Sequence, residues 1–355
     1  MVYFVDHGTP WRTKIMSETP IQWTDRSWGY QQGCIEESPG CSRCYAKRMA
    51  QRLAKNPKVP QYTEEIARWD GTMNLYAQGL MEPLLRKTGA TWFPSMTDPF
   101  LSYDPTTKKG VPDEWIGLAF LVAALCPQHR FLMLTKRPER IFDWFNSTVY
   151  AELSEAIDRG AFFLQLLALL KNCGQEDAWD DIVAAVDKRD RADALTVFPL
   201  NNVLLGASVE DQIRSDKRMP VMHQLKQTGW FTFISAEPLL EEVNLHLDQY
   251  PVDWVIIGGE SGHKARPFNL NWGRSLLKQC RDNNVKVFFK QMGANVVNST
   301  PYIVGTAAES TNWKVNFKDK KGGDLEEWEE IFRVREMPDI LVLQKDVTER
   351  SHPSS

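Results

Sequence analysis

The stretch NVLLGASVEDQIRSDKRMPVMHQLKQTGWFTFISAEP, from Asn202 to Pro238, decides the fold class. Its first apolar run ends in the polar residues Ser208 and Glu210. Helix-compatible sequence from Asp211 to Gln227 follows and is closed by Gly229. A second apolar run, starting at Trp230, again ends in a charge at Glu237. Two short apolar runs bounded by turn signals, with a helix between them, make a β-α-β unit, and such crossovers join parallel strands.

The same cadence extends outward in both directions. TWFPSMTD from Thr91 and RFLMLTKRP from Arg130 precede this unit, and DWVIIGGES from Asp253 and VKVFFKQMG from Val285 follow it. A further first strand is predicted near Ile21 to Thr24. Helices are predicted over Ser42 to Lys55, Asp113 to Leu125 and Asn271 to Asp282, each stopping at a turn or proline signal. Strand and helix alternate, so the expected class is α/β with a parallel sheet.

Seven such strands suit either an open doubly wound sheet or a full or partial (β/α) barrel. The polar residues favour the barrel. Asp98, Lys136 and Arg137, Ser208 and Glu210, Glu237, Glu260, and Lys290 with Gln291 all stand at the C-terminal ends of their runs. In a barrel those ends converge on one face, where active sites are built.

The expected organisation is an N-terminal extension over 1–18, a barrel over 19–338 and a polar C-terminal tail over 339–355. The stretch 139–199 is long for one connection and reads as two or three amphipathic helices inserted into the barrel. Of the 355 residues 43% are hydrophobic and 25% charged, with no apolar run of membrane-spanning length. The first twenty residues lack the features of a secretory signal, so a cytoplasmic protein with no membrane partner is expected. A formal net charge of -4 gives no general attraction to phosphate backbones, so a nucleic-acid partner would need a local basic face.

Three of the six cysteines crowd into GCIEESPGCSRCYAKRMA, as Cys34, Cys41 and Cys44. The Pro39-Gly40 turn lies between the first two, and the last two straddle a helix start. Thiolates ligate iron-sulfur clusters and structural zinc. A closed zinc site takes four protein ligands, whereas three cysteines on a four-iron cluster leave one iron open. Neither a fourth cysteine nor a histidine is near in sequence, so zinc would have to recruit His7, His129 or a remote cysteine.

Read together with the later blocks, these cysteines give a pattern that resembles the phage-associated radical S-adenosylmethionine (SAM) proteins of long-unassigned function. The blocks that carry the resemblance are Ile21-Gln22-Trp23-Thr24-Asp25, Gly33-Cys34, Ser38-Pro39-Gly40-Cys41, Cys44-Tyr45-Ala46, Leu134-Thr135-Lys136-Arg137-Pro138, Ser208-Val209-Glu210, Glu237-Pro238-Leu239, Gly258-Gly259-Glu260-Ser261-Gly262, Ala265-Arg266-Pro267 and Phe288-Phe289-Lys290-Gln291. They run in family order from residue 21 to 292. The chain departs from ordinary radical SAM enzymes in the six-residue first gap, and in having Arg43 before the last cysteine with Tyr45 after it.

The resemblance implies a 4Fe-4S cluster on Cys34, Cys41 and Cys44, with SAM bound to its open iron and an electron donor such as flavodoxin or ferredoxin. It implies SAM contacts at Ser95, Met96, Thr97 and Asp98, where the second strand ends, at Ser208 and Glu210, and at Gly258 and Gly259. An aspartate before Pro99 caps a turn equally well. Glu237, Glu260, Lys290 and Gln291 are expected to orient a substrate, and Lys136, Arg137, Ser261 and Arg266 to bind it, with Lys264 adding charge. Such a cationic face suits a carboxylate or a phosphate.

The family's phage association implies an isomerase-type step in DNA hypermodification, such as rearrangement of an amino-acid-decorated thymidine. Radical modification of RNA, or a non-catalytic zinc-stabilised nucleic-acid-binding protein, remain the alternatives.

Overall fold

The computed structural model describes residues 19–158, 161–174, 180, 197–299 and 312–341. The N-terminal extension, most of 175–196 within the helical insertion, and the tail beyond 341 lie outside the described residues.

Seven strands form one sheet: β1 (Arg26–Ser27), β2 (Thr91–Phe93), β3 (Arg130–Thr135), β4 (Val203–Ser208), β5 (Phe231–Ala236), β6 (Trp254–Gly258) and β7 (Lys286–Gln291). They lie in chain order, and every neighbouring pair is parallel. The predicted first strand is displaced: pairing begins at Arg26 opposite Trp92, not at Ile21. A turn with Thr24 N–H donating to the Ile21 carbonyl instead sends the Trp23 ring into the interior.

The sheet is curled into a half-barrel. Phe93, Leu132, Leu204, Phe233, Trp254, Ile256 and Phe288 come from six different strands, yet they join Trp23 in one buried cluster. Side chains from strands that far apart can meet only when the sheet bends around them. Since β1 and β7 do not pair, the curl stays open.

The open side is partly closed by Val334 to Met337, which runs antiparallel to β7. Phe289 donates to the Val334 carbonyl at 2.8 Å, and Glu336 donates to that of Val287 at 2.9 Å. Arg335 in the same segment reaches Gln22 at 3.0 Å, close to the start of β1. Covering an edge in this way removes a row of unpaired backbone groups.

Helices pack on the outer face. Every residue of β4 and β6 is buried, as parallel strands covered on both sides require. Helix α1 (Tyr45–Leu53) follows the cysteines, and α2 (Asp113–Ala124) fills the space behind β2 and β3. Ten of the twelve α2 residues are buried, which fits its nearly all-round apolar sequence. The described part of the insertion supplies α3 (Glu139–Phe145), α4 (Thr148–Asp158) and α5 (Phe162–Asn172), and the latter two pack on α2. Helix α6 (Gln212–Gln227) is capped by Asp211, whose carboxylate accepts from Arg214 N–H at 2.9 Å. Helix α7 (Leu270–Asp282) leads into β7. Among the described residues no helix is long and apolar enough to cross a membrane.

Candidate functional site at the C-terminal ends of the strands

Side chains alternate along a strand, so each interior apolar residue predicts which later residues face the same way. Counting in twos from the interior cluster gives Ser95 on the path of β2, Lys136 on β3, Ser208 and Glu210 on β4, Glu237 on β5, Gly258 and Glu260 on β6, and Lys290 on β7. The interior row of every strand therefore changes from apolar to polar as it reaches the mouth. The cysteine loop crosses that mouth between β1 and α1.

This loop is fixed by charges reaching up from the strand ends. Arg137, only 7% exposed, donates to Asp98 at 2.8 Å and to the Ile35 carbonyl at 3.2 Å, and it lies 3.1 Å from Glu37. Glu210 is fully buried and accepts from Ser38 at 2.5 Å, from Arg218 of α6 at 3.0 Å and from Lys136. Gly40 is required by this close approach: a Cβ there would stand 2.4 Å from the Glu210 carboxylate. Arg266 makes a forked pair with Glu260, at 2.6 and 3.2 Å, and its remaining nitrogen donates to the Pro39 carbonyl at 2.7 Å.

Burial disfavours a charge on Glu260, but the hydrogen bonds from Arg266 outweigh it and hold the carboxyl below the usual range. Burial likewise pushes Lys136 down to about 8, against the neighbouring Cys41. Lys136, Arg137 and Arg266, expected as substrate contacts, are thus already paired inside the protein. The loop between the first two thiols has only a single bridge, of Ile35 with Asp70, and a short 3-10 helix over Pro39–Arg43 as backbone pairing, so side chains complete its hold.

Asp98 is similarly occupied. Its two oxygens accept from Thr135 at 2.6 Å, Phe100 N–H at 3.0 Å, Lys136 N–H at 3.1 Å and Arg137. The bond to Phe100 is the turn cap that its position before Pro99 suggested. Thr97 ties the end of β2 to the chain after β1, donating to the Gly33 carbonyl at 3.0 Å. Ser95 pairs with Ser27, and its carbonyl accepts from the Tyr45 hydroxyl at 2.5 Å. Met96 packs with Cys34 and Cys44 against Trp69, Ala46 and Ala50. The Ser95 to Thr97 segment is therefore in contact with the cysteine loop.

All three cysteines are free thiols, with Cys41 buried and Cys34 and Cys44 partly so. Cys41 receives the Glu37 N–H at 3.4 Å and lies 3.7 Å from the Ser38 hydroxyl. Burial pushes Cys34 and Cys44 up, while the Ala46 and Lys47 amides at the start of α1 favour a Cys44 thiolate, and the charges of Arg137 and Lys136 favour thiolates at Cys34 and Cys44 respectively. Among the described residues no three His, Cys, Asp or Glu side chains close on one point tightly enough for a single metal ion. A four-iron cluster takes one thiolate per iron; Cys34 and Cys44 pack in one cluster and the charge of Cys41 acts on both, so the three thiols, with amide donors and nearby cations, are of the donor type that such a cluster takes. His129, one of the ligands that zinc would recruit, bonds instead to Ala90 N–H and the Pro83 carbonyl. His7 lies outside the described residues. Cys126 and Cys280 are buried in the main core, and Cys173 packs against it.

One pair at the mouth does not hold the loop. Lys290 lies 2.9 Å from Glu237, with the two side chains 23% and 13% exposed. Glu237 lies across Gly258, where a Cβ would come within 2.6 Å of its carboxylate, and its charge acts on Tyr45. Gln291 joins β7 to β6, donating to the Gly259 carbonyl at 2.9 Å while Gly259 N–H donates to the Gln291 carbonyl at 3.0 Å. Ser261 is half-buried at the start of the loop that leads to Lys264. A different cavity, of about 780 Å³, opens at the opposite end of the strands around Arg130, Lys226 and Lys286, far from the thiols.

Sequence reasoning missed Ser38, Glu37, Tyr45 and Arg218 as parts of this site. Arg218 did carry a signal, since it shares one stripe of α6 with Ser215, Met219, Met222 and Leu225, all buried. A cation in an apolar stripe calls for a buried acid, and Glu210 is that acid.

Residues 18–331 match the family model described as Protein of unknown function (DUF5131), and the chain belongs to that family. No curated protein and no solved structure matches it.

Proposed function

We propose that this family member is a radical SAM enzyme, in which Cys34, Cys41 and Cys44 hold a 4Fe-4S cluster at the mouth of the half-barrel. The observation that carries the reading is the loop itself: three free thiols sit on a segment clamped by Arg137 from the end of β3, by Glu210, itself paired with Lys136, from the end of β4, and by Arg266 from the loop after β6. Metal-binding loops need such an outer shell, because ligands must be held before they can be kept in one geometry. When bound, the cluster would supply an electron to the SAM sulfonium, giving methionine and a 5′-deoxyadenosyl radical able to take hydrogen from a substrate.

The protein's own residues then have separate tasks. Ser95, Met96 and Thr97 border the thiols and offer backbone and hydroxyl groups to SAM, while Asp98 positions them. Ser208, Gly258 and Gly259 form the adjoining floor at the ends of β4 and β6. Glu237 and Lys290, partly exposed, face the substrate and can hold or move a proton at the carboxylate. Glu260 and Gln291 position the mouth instead of touching the reacting atoms. The substrate is anionic, and an isomerase-type rearrangement of an amino-acid-decorated thymidine in phage DNA is the reading that the family resemblance favours.

Anaerobic reconstitution tests the cluster. About four irons and four sulfides per chain, lost in Cys41→Ser, support it. One zinc per chain and no iron uptake would contradict it and favour the zinc-stabilised nucleic-acid-binding alternative.

A further inference from the structure

Since the cations expected to bind substrate are paired inside the protein, an anion would meet unpaired charge further out, along α1. Cys44, Lys47, Arg48 and Gln51 recur on one face of that helix, at spacings of three, four and seven. Opposite them stands the loop after β6, with His263 and Lys264. Together with Arg43 and Ser42 they line a cavity of about 460 Å³ beside Cys44. That volume is in the range of pockets that hold small molecules.

The cavity carries more positive charge than its neighbours neutralise. Lys47 lies 2.6 Å from Glu36, and Arg43 lies 3.8 Å from Glu260, which Arg266 already pairs. Among the described residues, Arg48 and Lys264 have no carboxylate within salt-bridge range, and both are exposed. Lys264 is held at φ 62°, a left-handed conformation that costs a lysine energy. Next to Cys44 the Tyr45 ring is 50% exposed, and its hydroxyl bonds the Ser95 carbonyl at the barrel mouth. Tyr45 does not line the cavity, but it is next in sequence to Cys44, which does, so a nucleotide with its phosphate on the pocket cations could turn its base toward an exposed ring and the mouth.

We infer that the pocket formed by Arg43, Lys47, Arg48, His263 and Lys264 is a phosphate-binding subsite for a nucleotide, either free or within a polynucleotide chain. The inference deepens the substrate side of the proposed function. It rests on that reading for its purpose, but it is measured by binding alone.

The test uses the full-length protein without SAM or reductant, so its failure would leave the cluster reading standing, and a failed reconstitution would leave the pocket standing. Binding of a fluorescent single-stranded thymidine oligonucleotide is followed by anisotropy from low to moderate salt, with thymidine 5′-monophosphate and inorganic phosphate as competitors. The Arg48→Gln/Lys264→Gln variant is expected to weaken binding and to reduce the slope of log affinity against log salt by about 1.4, two phosphate contacts at about 0.7 each. Arg48→Lys/Lys264→Arg should restore both. Competition by the monophosphate at oligonucleotide-like concentrations points to a free nucleotide, and no competition by the monophosphate or by inorganic phosphate at those concentrations points to a polynucleotide. An unchanged slope overturns the inference, as does an equal loss in the charge-retaining variant. It is also overturned if the glutamine variant binds the oligonucleotide normally but loses affinity for an acidic electron-transfer protein.

Discussion

Glu210→Ala should be among the most destabilising single changes in this protein. Glu210 is fully buried, and Arg218 beside it is 2% exposed. Without the carboxylate, the guanidinium keeps, among the described residues, only the Ser208 carbonyl at 2.8 Å, and its Nε has no hydrogen-bond partner there. A buried charge that loses its partner costs about 3–5 kcal/mol. The same change frees the Ser38 hydroxyl and the Lys136 amine, so the cysteine loop loses one of its clamps. Urea unfolding of the wild type, Glu210→Ala, Arg218→Met and the double variant forms a thermodynamic cycle. Removing both charges should cost less than the sum of the singles, with a coupling of about 2 kcal/mol or more. Additive losses, or a Glu210→Ala cost below about 1 kcal/mol, would refute the clamp.

Arg137→Met should cost about 2–4 kcal/mol, because it leaves Asp98 buried without its cation, and should speed proteolytic cleavage between Cys34 and Cys41. Cleavage at the wild-type rate would count against Arg137 as the anchor of that loop. Glu82 is pushed up to about 7, first by burial, with Arg26 opposing, and one of its oxygens lacks a hydrogen-bond partner. Its folded state therefore holds the proton more tightly than the unfolded chain does, so stability falls from about pH 4.5 to about pH 7 and then levels. Glu82→Gln should stabilise the protein by about 1–3 kcal/mol at pH 8 and by little at pH 4, as thermal melts at the two pH values can show. Glu237→Gln and Lys290→Met should each lower turnover by about 10- to 1000-fold while leaving iron content at the wild-type level. Loss of iron in either would move the pair from the substrate to the loop.

Much of the barrel could be read from the chain because each buried parallel strand is a short apolar run ending in a turn signal. The β1 prediction slipped because Ile21 and Trp23 are apolar for a different reason: they fill the bottom of the curl before the strand begins. The register of the mouth was also legible, since Glu237, Glu260 and Lys290 keep the two-residue spacing of Phe233, Ile256 and Phe288. What could not be read was which charges face outward. Lys136, Arg137 and Arg266 look like substrate cations in sequence, and their partners Glu210, Glu37 and Glu260 look no different from surface acids. Pairing across 227 positions, as between Arg266 and Pro39, is set by the curl and leaves no local trace.

The most direct test of the account is reductive cleavage of SAM. The protein, reconstituted with iron and sulfide, is incubated anaerobically with SAM and dithionite, and 5′-deoxyadenosine and methionine are quantified. Both should form in equal amounts, and neither should form with Cys34→Ala, Cys41→Ala or Cys44→Ala. Intact SAM beside a fully loaded and reducible cluster would contradict this.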